Sequence, residues 1–322
     1  MIKSFVLAAG LLFVASAVVC AQPSHGTHKI QFVTVSPGVR LEVVDWGGSG
    51  PPLLFLAGGN GTAHAFDNFA PRFTGKHHVY GITRRGAGAS SVPPPIEENY
   101  AADRLGDDVL AVIAALRLDR PILAGHSLGG QELSSIGSRE PAKVRGLIYL
   151  DAAYSYAFYV PTNDNFYLDA NTIRRGLERL SSVNPAEGRA IVREIEQLLP
   201  DFGRGLRWYH DALEGEPDMS VAQSRSQRIQ VDHALLAGER KYTSIRAPVL
   251  AVYAMPQRCE KDCESAQYKA RAASDMSLAD AFAAHNPSAR VVKIANADHR
   301  VFESHTADVV REMNAFMDGL PH

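Results

Sequence analysis

Ser127 lies in the string Gly125-His126-Ser127-Leu128-Gly129, which fits the pattern Gly-x-Ser-x-Gly and is followed by Gly130. An apolar run over residues 121–124 precedes the string, and a helical pattern over 127–139 begins within it. A tight strand-to-helix turn of this kind holds its serine in a strained conformation, and the glycines let neighbouring backbone approach closely. The pattern therefore predicts a hydroxyl exposed at the carboxyl edge of a sheet, beside the positive end of a helix, as nucleophilic catalysis by serine requires.

The elements around this serine alternate between short apolar runs and helices. Eight runs are predicted as strands: 31–35, 39–46, 53–57, 78–83, 121–124, 144–150, 248–254 and 290–295. Helices are predicted over 63–73, 100–116, 127–139, 278–285 and 304–317. Short apolar strands separated by helices are typical of a parallel sheet covered on both faces. The sequence therefore predicts an α/β fold, a doubly wound and mostly parallel eight-stranded sheet with helices on both faces.

The middle of the chain, residues 152–245, breaks this alternation. It contains helical runs over 185–199 and 220–236 and no convincing strand, which predicts a helical cap inserted after the sixth strand. Residues 22–151 and 246–322 then form the core. The insertion is rich in aromatic side chains, which we expect either to cover an apolar pocket or to pack inside the insertion itself: Tyr154, Tyr156, Phe158, Tyr159, Phe166, Tyr167, Trp208 and Tyr209.

With these elements around its serine motif, the sequence resembles the α/β-hydrolase fold family over nearly all of the mature chain. The resemblance implies that Ser127 is the nucleophile and that the backbone N–H of Leu128 forms half of an oxyanion hole. The other half comes, in that family, from the loop after the third strand, which here is Ala57-Gly58-Gly59-Asn60-Gly61. Many relatives begin this loop with His-Gly. Because the donor is a main-chain N–H, the departure leaves Gly59 as the expected second donor.

The resemblance also places the catalytic base on the loop after the last strand. That loop contains His299, which we predict to be the base. His305 is the nearest rival, but it falls within the following predicted helix. His126 adjoins the serine and is expected to shape the turn.

The position of the catalytic acid is less well defined by the sequence. Family members commonly carry it after the seventh strand, where this chain has Gln257, and a neutral amide cannot stabilise an imidazolium as a carboxylate does. A subset of the family places the carboxylate directly after the sixth strand, where Asp151 stands. Asp151 is therefore the favoured acid. Glu260 and Asp262 are the alternatives.

The N-terminal segment, Met1 to Ala21, resembles a secretory signal peptide. Lys3 supplies a basic start, and residues 5–19 are apolar apart from Gly and Ser, a run short of the roughly 20 residues that a membrane span needs. Cleavage after Ala21 predicts a secreted or periplasmic protein without stable membrane insertion. A retained anchor is one alternative, and a lipoprotein attached through Cys20 is another, to which Val19 is a poor fit.

The mature chain keeps two cysteines, Cys259 and Cys263. In an oxidising compartment an even pair is a candidate disulfide, and three intervening residues allow a tight loop. Two free thiols are the alternative. A zinc site at these cysteines is not expected, because no His or further Cys stands at ligand spacing nearby.

Composition excludes other classes of function. The chain has 322 residues, with 33 Lys and Arg against 35 Asp and Glu, and a formal net charge of −2. It therefore lacks the excess of positive charge that would indicate binding to nucleic acid or to an anionic membrane surface. The sequence contains no phosphate-binding loop and no His-Glu-x-x-His motif, and residues 85–90 lack the glycine spacing of a dinucleotide site. We therefore expect no cofactor and no metal.

Together these features predict a serine hydrolase acting on a small carboxylic ester through an acyl-enzyme. A serine nucleophile argues against epoxide or haloalkane hydrolysis, which in this family uses a carboxylate. Lactones, amides, carbon–carbon bonds or cofactor-free perhydrolysis would use the same residues. A binding protein that keeps the fold without turnover is the alternative from another class, since a fold alone does not determine function.

Overall fold

The structure is a computed structural model that describes residues 28–59, 61–160, 166–214 and 226–321. The predicted signal peptide over residues 1–21, including Cys20, lies outside these ranges, as does the start of the helix predicted over 220–236. Within the described ranges, no helix is both long enough and apolar enough to cross a membrane.

An eight-stranded sheet forms the centre of the molecule, in the order β1-β2-β4-β3-β5-β6-β7-β8. The first two strands pair as an antiparallel hairpin, and β2 pairs antiparallel with β4. All pairings from β4 through β3 to β8 are parallel. The predicted mostly parallel eight-stranded sheet is therefore confirmed. The strands are β1 Lys29–Ser36, β2 Val39–Gly47, β3 Pro52–Leu56, β4 His78–Ile82, β5 Ile122–His126, β6 Gly146–Leu150, β7 Val249–Ala254 and β8 Arg290–Ile294.

Helices cover both faces of this sheet. Two short 3-10 helices, Ala63–Phe66 and Ala70–Phe73, connect β3 to β4. The α-helices of the described ranges are α1 Glu97–Tyr100, α2 Ala102–Ala115, α3 Gly129–Arg139, α4 Phe166–Leu180, α5 Pro185–Glu214, α6 Gln227–Ala237, α7 Ala266–His285, α8 Val301–Ser304 and α9 Thr306–Asp318.

Several helix predictions were wrong in extent. The single helix expected over 63–73 is two 3-10 turns, because Pro71 has no N–H with which to continue an α-helix. The helix expected to stop at Leu199 continues through Pro200 to Glu214. It packs against α4, and this packing outweighs the one backbone hydrogen bond that proline removes. The sequence did not predict α4, and α7 begins twelve residues before the expected start at 278.

Strand β3 shows how the sheet builds two cores. Leu54 and Leu56 join the core that contains α2, α3 and α7, whereas Leu53 and Phe55 join the core that contains the 3-10 helices, α8 and α9. This separation follows from the two-residue period of a strand. Because both faces are buried, the central strands are continuous apolar runs, the property by which the sequence revealed them.

Helices α4 to α6 lie between β6 and β7 in the chain. Phe166 of α4 stacks on Phe202 and Tyr209 of α5, with ring centroids 5.4 and 5.2 Å apart. The amide of Asn171 in α4 donates to the carbonyl of Leu236 in α6, at 2.8 Å. These aromatic side chains pack inside the segment, as the second of the two interpretations expected. That the segment is a cap domain stays a prediction.

Candidate active site

Ser127 occupies a strained turn between β5 and α3. Its φ is +49°, in the left-handed region that side chains other than glycine disfavour. The backbone N–H of Ser127 donates to the carbonyl of Leu150 at the end of β6, and the N–H of Gly130 donates to the carbonyl of Ser127. These two bonds hold the turn between the sheet and the first turn of α3.

Close backbone contacts explain the glycines around this turn. A Cβ added at Gly125 would lie 2.8 Å from the carbonyl oxygen of Gly129, and one at Gly130 would lie 2.3 Å from that of Ala152. A Cβ added at Gly58 would lie 2.7 Å from the Cβ of Ser127. The expected close approach is therefore present, and it extends to the loop after β3.

Asp151 lies at the carboxyl end of β6 and has no exposed surface. Its Oδ1 accepts hydrogen bonds from the Tyr154 hydroxyl at 2.7 Å and the Ala254 backbone N–H at 2.9 Å. Its Oδ2 lies 2.7 Å from His299 Nδ1 and accepts a longer bond of 3.4 Å from Gln257 Nε2. The buried carboxylate thus has polar partners at both oxygens, as a charge removed from water requires.

The contact with Asp151 sets the orientation of the His299 ring. An imidazole that donates from Nδ1 presents Nε2 as an acceptor on its other side. The His299 side chain is 46% exposed, so the ring borders solvent while one edge meets the buried carboxylate. This arrangement suits a general base, because the carboxylate fixes both the tautomer and the position of the ring.

The two alternative acids, Glu260 and Asp262, lie in an exposed loop. Cys259 and Cys263 are joined by a disulfide, and both Glu260 and Asp262 in the loop between them are exposed. The Glu260 side chain is 77% exposed and forms an ion pair with Arg258. The structure therefore brings Asp151 to His299 and leaves the two alternatives at the surface. Gln257, at the commoner place for the acid, instead donates to Asp151.

His126 supports the loop that carries His299. Its Nε2 donates to the backbone carbonyl of His299 at 3.0 Å, and the two rings lie 4.7 Å apart. Burial lowers the pKa of His126 to about 4, and the neighbouring His299 adds to this effect. His126 is therefore neutral at physiological pH, and its ring supports the loop of His299, a role that differs from the expected shaping of the serine turn.

The loop after β3 is held by a buried arginine. Arg84, which follows β4, donates from Nη2 to the carbonyl of Ala57 at 2.9 Å and from Nη1 to that of Gly59 at 2.7 Å. Its Nε donates to Glu132 Oε1 of α3 at 2.5 Å. Both charged side chains are almost completely buried. With two carbonyl oxygens bound on one side, Arg84 holds the backbone of the loop at Ala57 and at Gly59.

Sequence reasoning missed this Arg84–Glu132 clamp. The neighbouring Arg85 forms a second buried pair, bidentate with Asp108 of α2. Two adjacent arginines after a buried strand, together with an acidic residue on the inward face of α3, were the available indication. The pairing itself joins residues 48 positions apart, which a single sequence does not reveal.

A cavity of about 450 Å³ opens beside these residues. Burial raises the pKa of the Tyr156 hydroxyl well above its usual value. The cavity is lined by Ser127, Tyr154, Ser155, Tyr156, Gln257, Asp275, Leu278 and His299. Ser127 and His299 therefore face the same space, and two of the predicted pocket aromatics border it.

Residues 53–312 match the model of the alpha/beta hydrolase family. The chain belongs to this family. A 2-(acetamidomethylene)succinate hydrolase from Mesorhizobium japonicum is 31% identical over 104 residues, which cover 32% of this chain and 36% of that protein. The chain thus spans about a third of this relative's length in the alignment.

Solved hydrolases share the architecture over a longer range. The crystal structure of an E-2-(acetamidomethylene)succinate hydrolase has a TM-score of 0.57 and 20% identity, covering 91% of this chain and all of that one. An N-acyl homoserine lactone degrading enzyme has a TM-score of 0.55 and 21% identity, covering 89% of this chain and all of the other. At this level of identity the likeness concerns the fold. Membership of the hydrolase family supports hydrolase activity. It does not identify the substrate.

The buried, neutral state of His126 predicts how stability depends on pH. The unfolded chain protonates this group near pH 6.5, whereas the folded protein does so near pH 4. Between these values the unfolded state binds more protons, so the free energy of unfolding should fall by about 3 kcal/mol as the pH decreases through this window. In His126→Gln this contribution should disappear.

Urea unfolding of both proteins at several pH values between 4 and 7 measures the effect. His285→Gln, at an exposed position, is the matched control and should retain the wild-type pH dependence. Parallel curves for wild type and His126→Gln would contradict the assignment.

Proposed function

We propose that this member of the alpha/beta hydrolase family is a serine hydrolase that cleaves carboxylic esters through an acyl-enzyme. The observation that carries the proposal is the 2.7 Å contact between His299 Nδ1 and Asp151 Oδ2, beside the cavity that Ser127 and His299 both line. Nucleophile, base and acid then follow one another along the chain in the family's order of serine, acid and histidine.

The first step is attack by Ser127 on the acyl carbon. His299 Nε2 removes the hydroxyl proton as the bond from Ser127 Oγ to carbon forms. Asp151, which accepts a hydrogen bond from Nδ1–H and stays ionised, stabilises the resulting imidazolium. Removal of the carboxylate from solvent strengthens this interaction, because the surrounding dielectric is low.

The negative charge that develops on the substrate's carbonyl oxygen is bound by the N–H groups of Gly59 and Leu128. The N-terminus of α3 adds its partial positive charge at the same point. As the tetrahedral intermediate collapses, the leaving alcohol takes the proton from His299. Water, deprotonated by the same base, then hydrolyses the acyl group from Ser127.

The cavity supports a small and partly apolar substrate. Its volume of about 450 Å³ is within the ordinary range for small-molecule sites. The aromatic rings of Tyr154 and Tyr156 and the side chain of Leu278 supply apolar wall, and α4 to α6 serve as the cap. Tyr156 lines the cavity together with Ser127 and is placed to contact the bound ester near its reacting end.

We further propose export from the cytoplasm. The N-terminal sequence pattern supports it, as does the disulfide between Cys259 and Cys263, since such bonds persist in oxidising compartments. N-terminal sequencing of the exported protein checks cleavage after Ala21 against retention or lipidation at Cys20.

Ser127→Ala should abolish ester hydrolysis without unfolding the protein. Removal of the nucleophile leaves only the oxyanion donors and substrate binding, so we expect a loss of at least about 10³-fold in kcat/KM. The measurement is turnover of nitrophenyl esters with acyl chains of increasing length, which also sizes the acyl pocket.

Circular dichroism of the same samples shows whether the variant is folded. A folded, fully active Ser127→Ala would overturn the mechanism. If the wild type cleaves lactones or amides and no esters, the mechanism stands and the substrate class changes. A wild type that turns over none of these and resists an active-site serine probe favours the non-catalytic alternative.

Two substitutions, each replacing a carboxylate by a neutral amide, test which residue is the catalytic acid. Asp151→Asn should lower kcat by about 10²–10⁴-fold, because the amide no longer fixes the tautomer of His299 or stabilises its charge. Glu260→Gln should stay within about twofold of the wild type. The reverse order of effects would reassign the acid to the disulfide loop.

The Arg84–Glu132 clamp should act on turnover through the oxyanion loop. Arg84→Lys keeps the charge beside Glu132, but an ammonium cannot reproduce the planar fork that binds both carbonyls. Because loss of an oxyanion donor typically costs 10²–10³-fold, we expect a partial loss of about 10–100-fold in kcat with KM within about threefold.

Arg85→Lys is the matched control for this clamp. It weakens a neighbouring buried ion pair, with Asp108, that does not hold the oxyanion loop. We expect the two variants to lose similar amounts of thermal stability. Only Arg84→Lys should show a reduced kcat. Equal effects on kcat would mean that Arg84 contributes to stability alone.

A further inference from the structure

Two histidines and an aspartate form a cluster apart from the residues that line the cavity at Ser127. His28 directly precedes β1, while His64 and Asp67 lie in the segment after the oxyanion loop. One potential ligand atom from each residue lies within 4.8 Å of the others. His64 Nδ1 is 3.1 Å from Asp67 Oδ2, and His28 Nδ1 is 3.5 Å from Asp67 Oδ1.

These separations fit a tetrahedral metal ion. Zinc bonds to nitrogen and oxygen at about 2.0–2.1 Å, and at tetrahedral angles this places neighbouring ligand atoms about 3.4 Å apart. The two observed contacts fall on either side of that value, one at each oxygen of Asp67, so an ion bound to one of these oxygens must draw the farther imidazole inward. The two imidazole rings also lie side by side, with centroids 5.1 Å apart.

The ligand side chains are positioned by the fold. Trp46 donates from Nε1 to Asp67 Oδ1 at 3.0 Å, and the backbone N–H of Asp67 donates to the carbonyl of His64. The 3-10 helix that carries His64 is itself fixed at its start, where the N–H of Ala63 donates to the Thr83 hydroxyl. Asp67 and His64 are therefore held in place before any ion binds.

A buried carboxylate lies behind His64. Glu42 Oε1 is 3.6 Å from His64 Nε2, and Glu42 Oε2 accepts a 2.6 Å hydrogen bond from the Thr83 hydroxyl. Metal-binding histidines usually direct their second ring nitrogen toward such a carboxylate, which orients the ring and makes it a better ligand. His64 can thus bind an ion through Nδ1 while Nε2 faces Glu42.

We propose that His28, His64 and Asp67 form a binding site for a divalent transition metal ion such as zinc. Two imidazoles and one carboxylate match the ligand preference of zinc and not that of magnesium or calcium, which favour oxygen ligands. The three side chains are between 24% and 34% exposed, so a fourth position is open to water. None of the three lines the cavity at Ser127, and the site is proposed independently of the hydrolase mechanism.

The test uses the mature protein without a polyhistidine tag, stripped with a chelator. Titration calorimetry with zinc should show one site per chain, and retained zinc after desalting should approach one equivalent. His64→Gln or Asp67→Asn should weaken binding at least about tenfold, and Glu42→Gln should weaken it by about 10–100-fold if it supports His64. Magnesium should give no binding heat.

Controls separate this site from other histidines and from catalysis. His285→Gln, an exposed histidine elsewhere, and Ser127→Ala should both bind zinc like the wild type. Zinc should raise the melting temperature of the wild type and not of His64→Gln, because only the folded state holds the ligands together. Absence of stoichiometric zinc, or binding unchanged in His64→Gln and Asp67→Asn, would overturn the proposal and leave a hydrogen-bonded cluster without an ion.

Discussion

The burial of the Asp151 carboxylate is the constraint on which the site depends. A charge without solvent contact is costly unless protein donors replace the water it loses. Here the donors come from the residues after β6, from the end of β7, from the loop beyond it and from His299 after β8. One carboxylate therefore fixes the relative positions of three adjacent strand ends, and the histidine ring is aligned as part of the same network.

On the other side of Ser127, steric and ionic contacts supply the rigidity. The absence of Cβ atoms at Gly58 and Gly130 lets the loop after β3 and the segment after β6 approach the serine turn. Arg84 then joins that loop to α3 through Glu132. A buried ion pair of this kind contributes little net stability. Its effect is geometric, because it couples the loop carrying Gly59 to the helix that starts at the serine.

The sequence predicted those features that depend on short stretches of chain. The apolar runs gave all eight strands, and the pattern around Ser127 gave the turn, because each is determined by neighbouring residues. Features built from distant residues were incompletely predicted or missed. The sequence left the candidate acid open between Asp151 and the disulfide loop, because the contact of a carboxylate with His299 depends on where the strand ends lie. Arg84 and Glu132, like His28 and His64, meet only in the folded chain. Helix α4 was missed because its segment lies outside the regular alternation of strands and helices by which the core was recognised.

Gln257 has a consequence for how such sites diversify. Its amide points at the same Asp151 oxygen that faces His299, and it extends from the strand adjacent to the one that carries Asp151. Two neighbouring strand ends therefore meet at one carboxylate oxygen, and Gln257 borders the same cavity as the His299 imidazole. Exchange of the carboxylate and the amide between them requires two substitutions and no insertion or change of topology. If Asp151 is the acid, as proposed, the end of either strand could therefore carry a carboxylate beside the same cavity without a change of fold.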